Sequence, residues 1–258
     1  SFTGSVKAGY DVQRATHTKF IDMALELGGK DPAYARYDCD LDKTVENLVD
    51  GSFFNSGQSC CGIERIYVDE KIYNNFIELF ASKTYNYKLG NPLEKETNLG
   101  PVVKLSAAEF ISNQMNDAIN KGAKKLIDEN KFDFPKEYKN YMIPQALTNV
   151  NHDMGFMTEE TFGPCVGIMK VKDESEAIKL MNDSPYGLTA SIWTKDLDIA
   201  EKIGNQVQTG TFYMNRCDYL DPALSWTGVK ETGKGCSLSE IAYEKLTAPK
   251  SFHLRKEQ

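Results

Sequence analysis

Apolar residues recur along this chain with two periods, and the switches between them outline alternating strands and helices. After Asp40, apolar side chains fall at Leu41, Val45, Leu48 and Val49. That is the spacing of an amphipathic helix, and Asp40 suits its capping position. The pattern stops at Asn55-Ser56-Gly57, where glycine suits a helix end. Ile63 to Val68 is a short apolar run and reads as a strand. Residues 69–89 give a second amphipathic helix, and Asn91-Pro92 and Gly100-Pro101 punctuate the loop after it. A third helix spans 106–121, with Ala107, Phe110, Ile111, Met115 and Ile119 as its buried stripe. The segment 131–141 is charged, aromatic and aperiodic, and reads as a surface loop. Strands at 166–171 and 188–193 bracket a helix at 174–181, followed by a short helix at 196–204 and a strand at 211–214. Upstream, 23–27 reads as a strand running into Gly28-Gly29, a pair suited to a tight bend or hinge. This order predicts an α/β domain with a largely parallel sheet flanked by helices.

Composition narrows the function. A chain of 258 residues can bury one substantial core with a smaller second element. Its 30 basic against 37 acidic residues give a net charge of −7. An acidic balance argues against a nucleic-acid partner and against anionic membrane surfaces. The six cysteines (Cys39, Cys60, Cys61, Cys165, Cys217, Cys236) form no CxxC pair, and the three histidines (His17, His152, His253) lie far apart. Neither a zinc site nor a secreted disulfide framework is expected, and a reducing compartment, the cytoplasm, is. Neither a signal peptide nor the roughly 20 apolar residues of a membrane span can be read from the chain.

Two stretches carry candidate chemistry. Phe53-Phe54-Asn55-Ser56-Gly57-Gln58-Ser59-Cys60-Cys61 places a thiol in a Gly/Ser-rich loop between a helix and a strand. Leu25-Glu26-Leu27-Gly28-Gly29-Lys30 sets a carboxylate beside a glycine hinge. Cys60 as nucleophile and Glu26 as its base is the functional reading. Taken alone, a cysteine is commonly a small buried hydrophobe, and Glu26 equally suits a hinge contact to a backbone N–H. At the start of the chain, Gly4, Ser5 and Gly9 form a turn that leads into a helix. Gly4 allows a phosphate close to the backbone, and Ser5 with the free N–H groups of the helix can hold it. An ordinary tight turn has the same composition.

These segments resemble the signatures of the aldehyde dehydrogenase superfamily. FFNSGQSCC is similar to its active-site cysteine motif, and LELGGKDP to its glutamate motif 34 residues upstream. Phe2-Thr3-Gly4-Ser5 with Gly9 resembles its cofactor-phosphate turn. Glu159-Glu160-Thr161-Phe162-Gly163-Pro164 resembles the EE-x-FGP signature beside the nicotinamide. The resemblance runs from Ser1 to the C-terminus in the expected order.

The resemblance implies an oxidoreductase that converts an aldehyde to a carboxylic acid with NAD or NADP, through a thiohemiacetal and a thioester on Cys60. Cys60 and Glu26 are then catalytic. Gly4, Ser5, Gly9, the Leu27 carbonyl, Glu160 and Phe162 hold the cofactor; motif alignment alone selects Glu160 over Glu159, and Phe162 also fits an ordinary core. Cys61 neighbours the nucleophile and shapes the pocket, with a strained vicinal disulfide as the alternative. Tyr219 and Trp226 are candidate tunnel walls. Arg216 suits an acidic substrate tail, or Asp218, or a backbone carbonyl. Lys30 reads as structural. The presence of Glu26 favours water over CoA as acyl acceptor.

The implied organisation is an edge of the Rossmann-like cofactor domain over 1–27, a catalytic domain over 28–248, and a subunit-bridging strand at 249–258, with Lys250 to Leu254 as its strand-like core. A homo-oligomer, dimer or tetramer, follows. The N-terminal half of the family fold would precede Ser1, so this stretch by itself is not expected to turn over. One departure stands out. Many hydrolytic relatives carry an Arg-Glu pair after the late Gly-x-Gly, whereas Gly233-Lys234-Gly235 is followed here by Cys236-Ser237. That removes a relay carboxylate for the Glu26 proton. The rival readings are a cofactor-independent thiol esterase or acyltransferase, and a non-catalytic scaffold that keeps the fold.

Overall fold

The computed structural model describes residues 1–133 and 138–256. The chain opens with β1 (Phe2–Thr3), α1 (Val6–Thr16), β2 (Leu25–Glu26), β3 (Asp31–Ala35), α2 (Leu41–Phe53) and β4 (Ile63–Asp69). Next come α3 (Tyr73–Thr84), α4 (Leu105–Asn120), β5 (Lys124–Lys125), β6 (Gln145–Thr148), α5 (Gly155–Thr158) and β7 (Cys165–Val171). It closes with α6 (Glu174–Asn182), β8 (Thr189–Trp193), α7 (Leu197–Gly204), β9 (Thr211–Met214), β10 (Gly233–Lys234) and α8 (Ile241–Leu246).

Seven strands form one sheet in the order β5-β6-β7-β4-β3-β8-β9, parallel throughout except for the β5–β6 edge pair. The strand period of two divides its side chains between two cores. Tyr34 and Tyr67 join Ile111, Met115, Phe156 and Ile203 on one face. Ala33, Ala35, Ile66 and Val68 join Leu48, Phe53, Phe76 and Phe80 on the other. The central strand β3 is buried along its whole length, as a doubly covered parallel strand must be. A second sheet, β1-β2-β10, pairs the start of the chain with Gly233-Lys234. Its hydrogen bonds therefore run across the Leu27/Gly28 boundary expected from the sequence.

The hydropathy pattern located most elements and misjudged several. The helix expected over 69–89 is shorter, Tyr73–Thr84. Asp69 ends β4 and its carboxylate accepts from the Lys71 N–H at 2.9 Å, which turns the chain before the helix begins. The stripe of α4 is rotated: Ala108, Ile111, Gln114, Met115 and Ala118 are buried, while Phe110 is 49% exposed. The strand β3 escaped the pattern because Pro32 sits in it, at a register shift against β4, the irregular position a strand proline tolerates. Strand β6 was missed too. The surface loop expected at 131–141 lies partly outside the described residues. Lys250 to Leu254 forms no strand here, and Phe252 and Leu254 are exposed; a strand requires a partner edge, and the segment has none among the described residues.

One buried ion pair ties the loops that enter the sheet. Lys30, which precedes β3, places its ammonium 2.6 Å from Glu64 on β4, with side chains 0% and 5% exposed. Glu64 also accepts the backbone N–H groups of Thr161 and Phe162 at 2.8 Å each. Lys30 donates to the Thr161 hydroxyl at 2.9 Å, which in turn donates to Gln114 of α4 at 2.7 Å. Removing one partner of such a pair strands a charge in the interior. Lys30→Met is expected to lower stability by about 3–5 kcal/mol, read from the urea midpoint. Lys30→Met/Glu64→Gln should lose less than the sum of the two single substitutions.

Candidate active site

Open parallel sheets ordinarily carry their ligands beyond the carboxyl ends of the strands. Here the candidate residues gather at the opposite edge. Lys30 immediately precedes β3, Cys60 and Cys61 precede β4, and Phe162 precedes β7. Because these strands are parallel neighbours, their entry loops fall side by side.

The Cys60 loop is built by forcing α2 to stop. Asp40 caps its start, accepting from the Lys43 N–H at 3.3 Å, and Val45, Leu48 and Phe53 are fully buried. At its far end Asn55, Ser56 and Gly57 take φ values of 52°, 57° and 68°. Three left-handed residues in a row end any helix. The two that are not glycine are held by side-chain bonds, from Asn55 to the Gln58 carbonyl at 2.9 Å and from Ser56 to the Gly100 carbonyl at 2.7 Å. Gln58 is pinned by the Val103 N–H at 2.8 Å. At Gly57 a Cβ would stand 2.0 Å from the Gly163 carbonyl oxygen, so the cysteine loop and the EETFGP loop touch backbone to backbone.

A second close approach joins the cysteine to the glutamate motif. A Cβ on Gly29 would lie 2.2 Å from the Cys60 carbonyl oxygen. Glu26 is three residues upstream, which bounds its backbone to within about 10 Å of that contact. Glu26 is half-buried, and its carboxylate accepts the Ser237 hydroxyl at 2.9 Å. Ser237 is positioned by a two-way backbone pair with Trp226, at 2.7 and 2.8 Å. Trp226 packs with Leu188 and Leu238 against Cys61 and Cys60. The late Cys236-Ser237 departure therefore returns a hydroxyl to Glu26.

Cys60 is half-buried and Cys61 buried, and all six cysteines are free. The Cys61 thiol, as a donor, pulls the Cys60 thiol below its ordinary value, against burial and the charges of Glu160 and Asp218. Cys61 moves the other way, raised by Cys60, by burial and by Asp218. Its sulfur lies 2.9 Å from the Asp218 carboxylate, which also accepts the Ser59 hydroxyl at 3.2 Å.

On the cofactor side, one Glu160 oxygen accepts the Gly29 N–H at 2.9 Å. Burial pushes Glu160 up to about 7, with the charge of Glu64 adding to it and the Gly29 bond and Lys30 opposing it. Phe162 takes φ 51° and is 41% exposed, so it is not an ordinary core residue. Gly9 is buried against the Leu27 side chain. Ser5 caps α1, accepting from the Ala8 N–H at 3.3 Å. These residues fit a dinucleotide: a carboxylate has about four acceptor positions, one bond among the described residues occupies them at Glu160, and the start of α1 offers N–H groups to a phosphate.

Of the expected substrate residues, Trp226 and Cys61 stand beside Cys60. Arg216 instead lies over the Tyr219 ring, 3.2 Å from its centroid, and both are exposed. Sequence reasoning missed Glu64, Gln114, Thr161 and the bond from Ser237 to Glu26. A signal existed for Glu64, which with Arg65 puts two charges among Ile63, Ile66, Tyr67 and Val68. Among the described residues no group of three or more His, Cys, Asp or Glu could hold a metal, and no helix is long and apolar enough to cross a membrane.

The Gly28-Gly29 segment after Glu26, the Cys60 loop and the EETFGP loop thus meet, Gly29 on the Cys60 carbonyl, Gly57 on the Gly163 carbonyl and Glu160 on the Gly29 N–H. The aldehyde dehydrogenase family model matches residues 1–252, and the chain belongs to that family. An aldehyde dehydrogenase of Emericella nidulans is 35% identical over 257 residues, covering 99% of this chain and 51% of the relative. The betaine aldehyde dehydrogenase of Staphylococcus aureus in complex with NAD+ superposes with a TM-score of 0.88 at 30% identity, over 95% of this chain and 49% of that one. A glyceraldehyde-3-phosphate dehydrogenase of Methanocaldococcus jannaschii complexed with NADP gives a TM-score of 0.88 at 33% identity, over 95% and 52%. The chain thus spans about half the length of the relatives it matches.

The environment of Glu160 makes a pH prediction. Its proton is held up to about pH 7 in the folded chain, against an ordinary value of 4.5. Across that window the native state binds more protons than the unfolded one, so stability falls as pH rises. Glu160→Gln is expected to flatten this slope in urea titrations repeated between these limits.

Proposed function

We propose that this site belongs to an NAD(P)-dependent aldehyde dehydrogenase that releases a free carboxylic acid. The observation that carries the reading is the docking of Gly29 on the Cys60 backbone. It holds the Glu26 backbone within about 10 Å of the Cys60 loop, which supports a shared role for the thiol and the Ser237-bound carboxylate.

In this mechanism Cys60, as thiolate, bonds to the aldehyde carbon and the carbonyl electrons move to oxygen. The resulting oxyanion accepts a hydrogen bond from the Cys60 backbone N–H. Bound nicotinamide supplies the hydride acceptor. Glu160 would hold its ribose, Phe162 would pack beside its ring and the Leu27 carbonyl would meet its carboxamide, while Gly4, Ser5 and Gly9 would shape the phosphate turn. Once hydride has left, the oxyanion electrons re-form the carbonyl and Cys60 carries a thioester. Glu26 then removes a proton from water as it attacks that thioester, and the C–S bond breaks to return the thiolate. Ser237 orients Glu26 for this step.

A cofactor-free thiol hydrolase needs an imidazole base. His152 is engaged by Tyr67 and Asp183 at 2.8 and 2.7 Å, His17 by the Arg14 carbonyl at 2.6 Å, and His253 is exposed in the C-terminal segment. That arrangement favours the dehydrogenase. Six free thiols suit a reducing, cytoplasmic setting. The exposed Tyr243, Leu246, Phe252 and Leu254 suit burial against further copies in a homo-oligomer.

In a protein that joins this chain to the rest of the family fold, turnover of a short aldehyde, followed as reduced nicotinamide, is expected to vanish in Cys60→Ala. Glu26→Gln should slow it roughly 10²–10⁴-fold, with the first acylation burst kept. Cys60→Ala should also remove the fastest-reacting thiol in electrophile labelling. Ester hydrolysis that is independent of both cofactor and Glu26 would overturn the reading.

A further inference from the structure

A nucleophile must be aimed as well as ionised, and the backbone N–H that serves its oxyanion must be aimed with it. Upstream of Cys60 the loop is tied by bonds between Asn55 and Gln58, and by Gln58 to Val103. Downstream, the Gly62 N–H returns to the Ser59 carbonyl at 3.1 Å and β4 begins. The span 59–61 between them is left to its side chains. Among the described residues, the hydrogen bonds that leave this span all end on one atom, Oδ1 of Asp218. The Ser59 hydroxyl donates to it at 3.2 Å and the Cys61 thiol at 2.9 Å. These are the residues on either side of Cys60. The Cys60 N–H itself has no hydrogen-bond partner among the described residues.

Asp218 is presented by a loop that is held in several places. Asn215 is bolted to the end of β8, accepting from the Thr194 N–H at 3.0 Å and donating to its carbonyl at 2.8 Å. Cys217 packs its sulfur on Gly51 of α2, 3.6 Å from the Asn47 carbonyl. The Tyr213 hydroxyl of β9 donates to the Tyr219 carbonyl. Between the last two anchors Asp218 takes φ 46°, a left-handed conformation that aspartate tolerates better than most residues. A loop aspartate commonly bonds its own turn. Both bonds here reach across the fold instead, to residues 159 and 157 positions away.

We propose that Asp218 aims the nucleophile. By accepting from Ser59 and Cys61 at one oxygen, it fixes the peptide units on both sides of Cys60 and so the direction of the Cys60 N–H. It is a positioning residue and acts through its two donors. The inference rests on Cys60 being the nucleophile, and its test reads the two separately. The charge of Asp218 works the other way, against ionisation of Cys60. Aim and charge are therefore separable. Asp218→Asn keeps an acceptor oxygen without the charge, and Asp218→Ala keeps neither.

The experiment compares two reagents on the 258-residue chain, in a phosphine reductant, with each adduct mapped to Cys60 by mass spectrometry. Iodoacetamide alkylates the thiolate by losing iodide and develops no oxyanion. p-Nitrophenyl acetate is attacked at its carbonyl carbon, develops an oxyanion, then expels nitrophenolate to leave a thioester. Only that first, stoichiometric acylation is measured. Both reactions need the thiolate, so the ratio of their rates cancels its population and reads the N–H. Asp218→Ala should lower the acylation-to-alkylation ratio by about tenfold or more, short of the roughly 10²–10³-fold loss when an oxyanion donor is removed. Asp218→Asn should keep the wild-type ratio. Ser59→Ala should lower it by less, and should add nothing in the Asp218→Ala background. If Asp218→Ala does not fold, Ser59→Ala and Asp218→Asn still decide. A wild-type ratio in Asp218→Ala or Ser59→Ala, or a lowered ratio in Asp218→Asn, overturns this proposal and leaves the nucleophile standing. A wild-type chain whose Cys60 reacts with neither reagent overturns both.

Discussion

The buried bond between Lys30 and Glu64 is the constraint on which the site depends. Glu64 spends both oxygens at once, one on the Lys30 ammonium and the Thr161 N–H, the other on the Phe162 N–H. A lone charge at that depth would be prohibitive, and here the desolvation is offset by a short ion pair and by donors that need an acceptor anyway. The consequence is geometric. The glutamate motif before β3, the strand β4 that follows the cysteine loop, and the EETFGP loop before β7 are locked to one another, so their active groups cannot drift independently.

That lock permits a site at the unusual edge of the sheet. Two backbone approaches, Gly29 on the Cys60 carbonyl and Gly57 on the Gly163 carbonyl, bring three loops closer than any side chain would allow. The left-handed run at Asn55-Ser56-Gly57 and the left-handed Phe162 are conformations with an intrinsic cost, and side-chain or Glu64 bonds hold them. Rigidity of this kind suits covalent chemistry, where the sulfur, the base and the cofactor must meet at fixed distances.

Electrostatics at the centre are mostly unfavourable to a thiolate, and the protein answers with hydrogen bonds. The charges of Glu160 and Asp218 oppose ionisation of Cys60, and the neighbouring Cys61 thiol favours it. Ser237 occupies Glu26 from the other side.

Much of this could be read from residues in order. The helix capped by Asp40, the strand at Ile63 to Val68, and the parallel α/β class follow from local periodicity, because a period of 3.6 or 2 survives in one dimension. The Cys60, Glu26 and Glu160 motifs are likewise runs of neighbours. Other features had no local trace. Strand β3 hid behind Pro32, since a central strand is defined by the two strands that cover it. The pairing of Lys30 with Glu64, of Ser237 with Glu26, and of Asp218 with Cys61 joins residues 34, 211 and 157 positions apart. Sequence determined which groups were present and which segments were helix or strand. Only the tertiary structure decided which charges would be buried together and which donor would reach Glu26, because burial and hydrogen bonding are settled by what lies across the fold rather than along the chain.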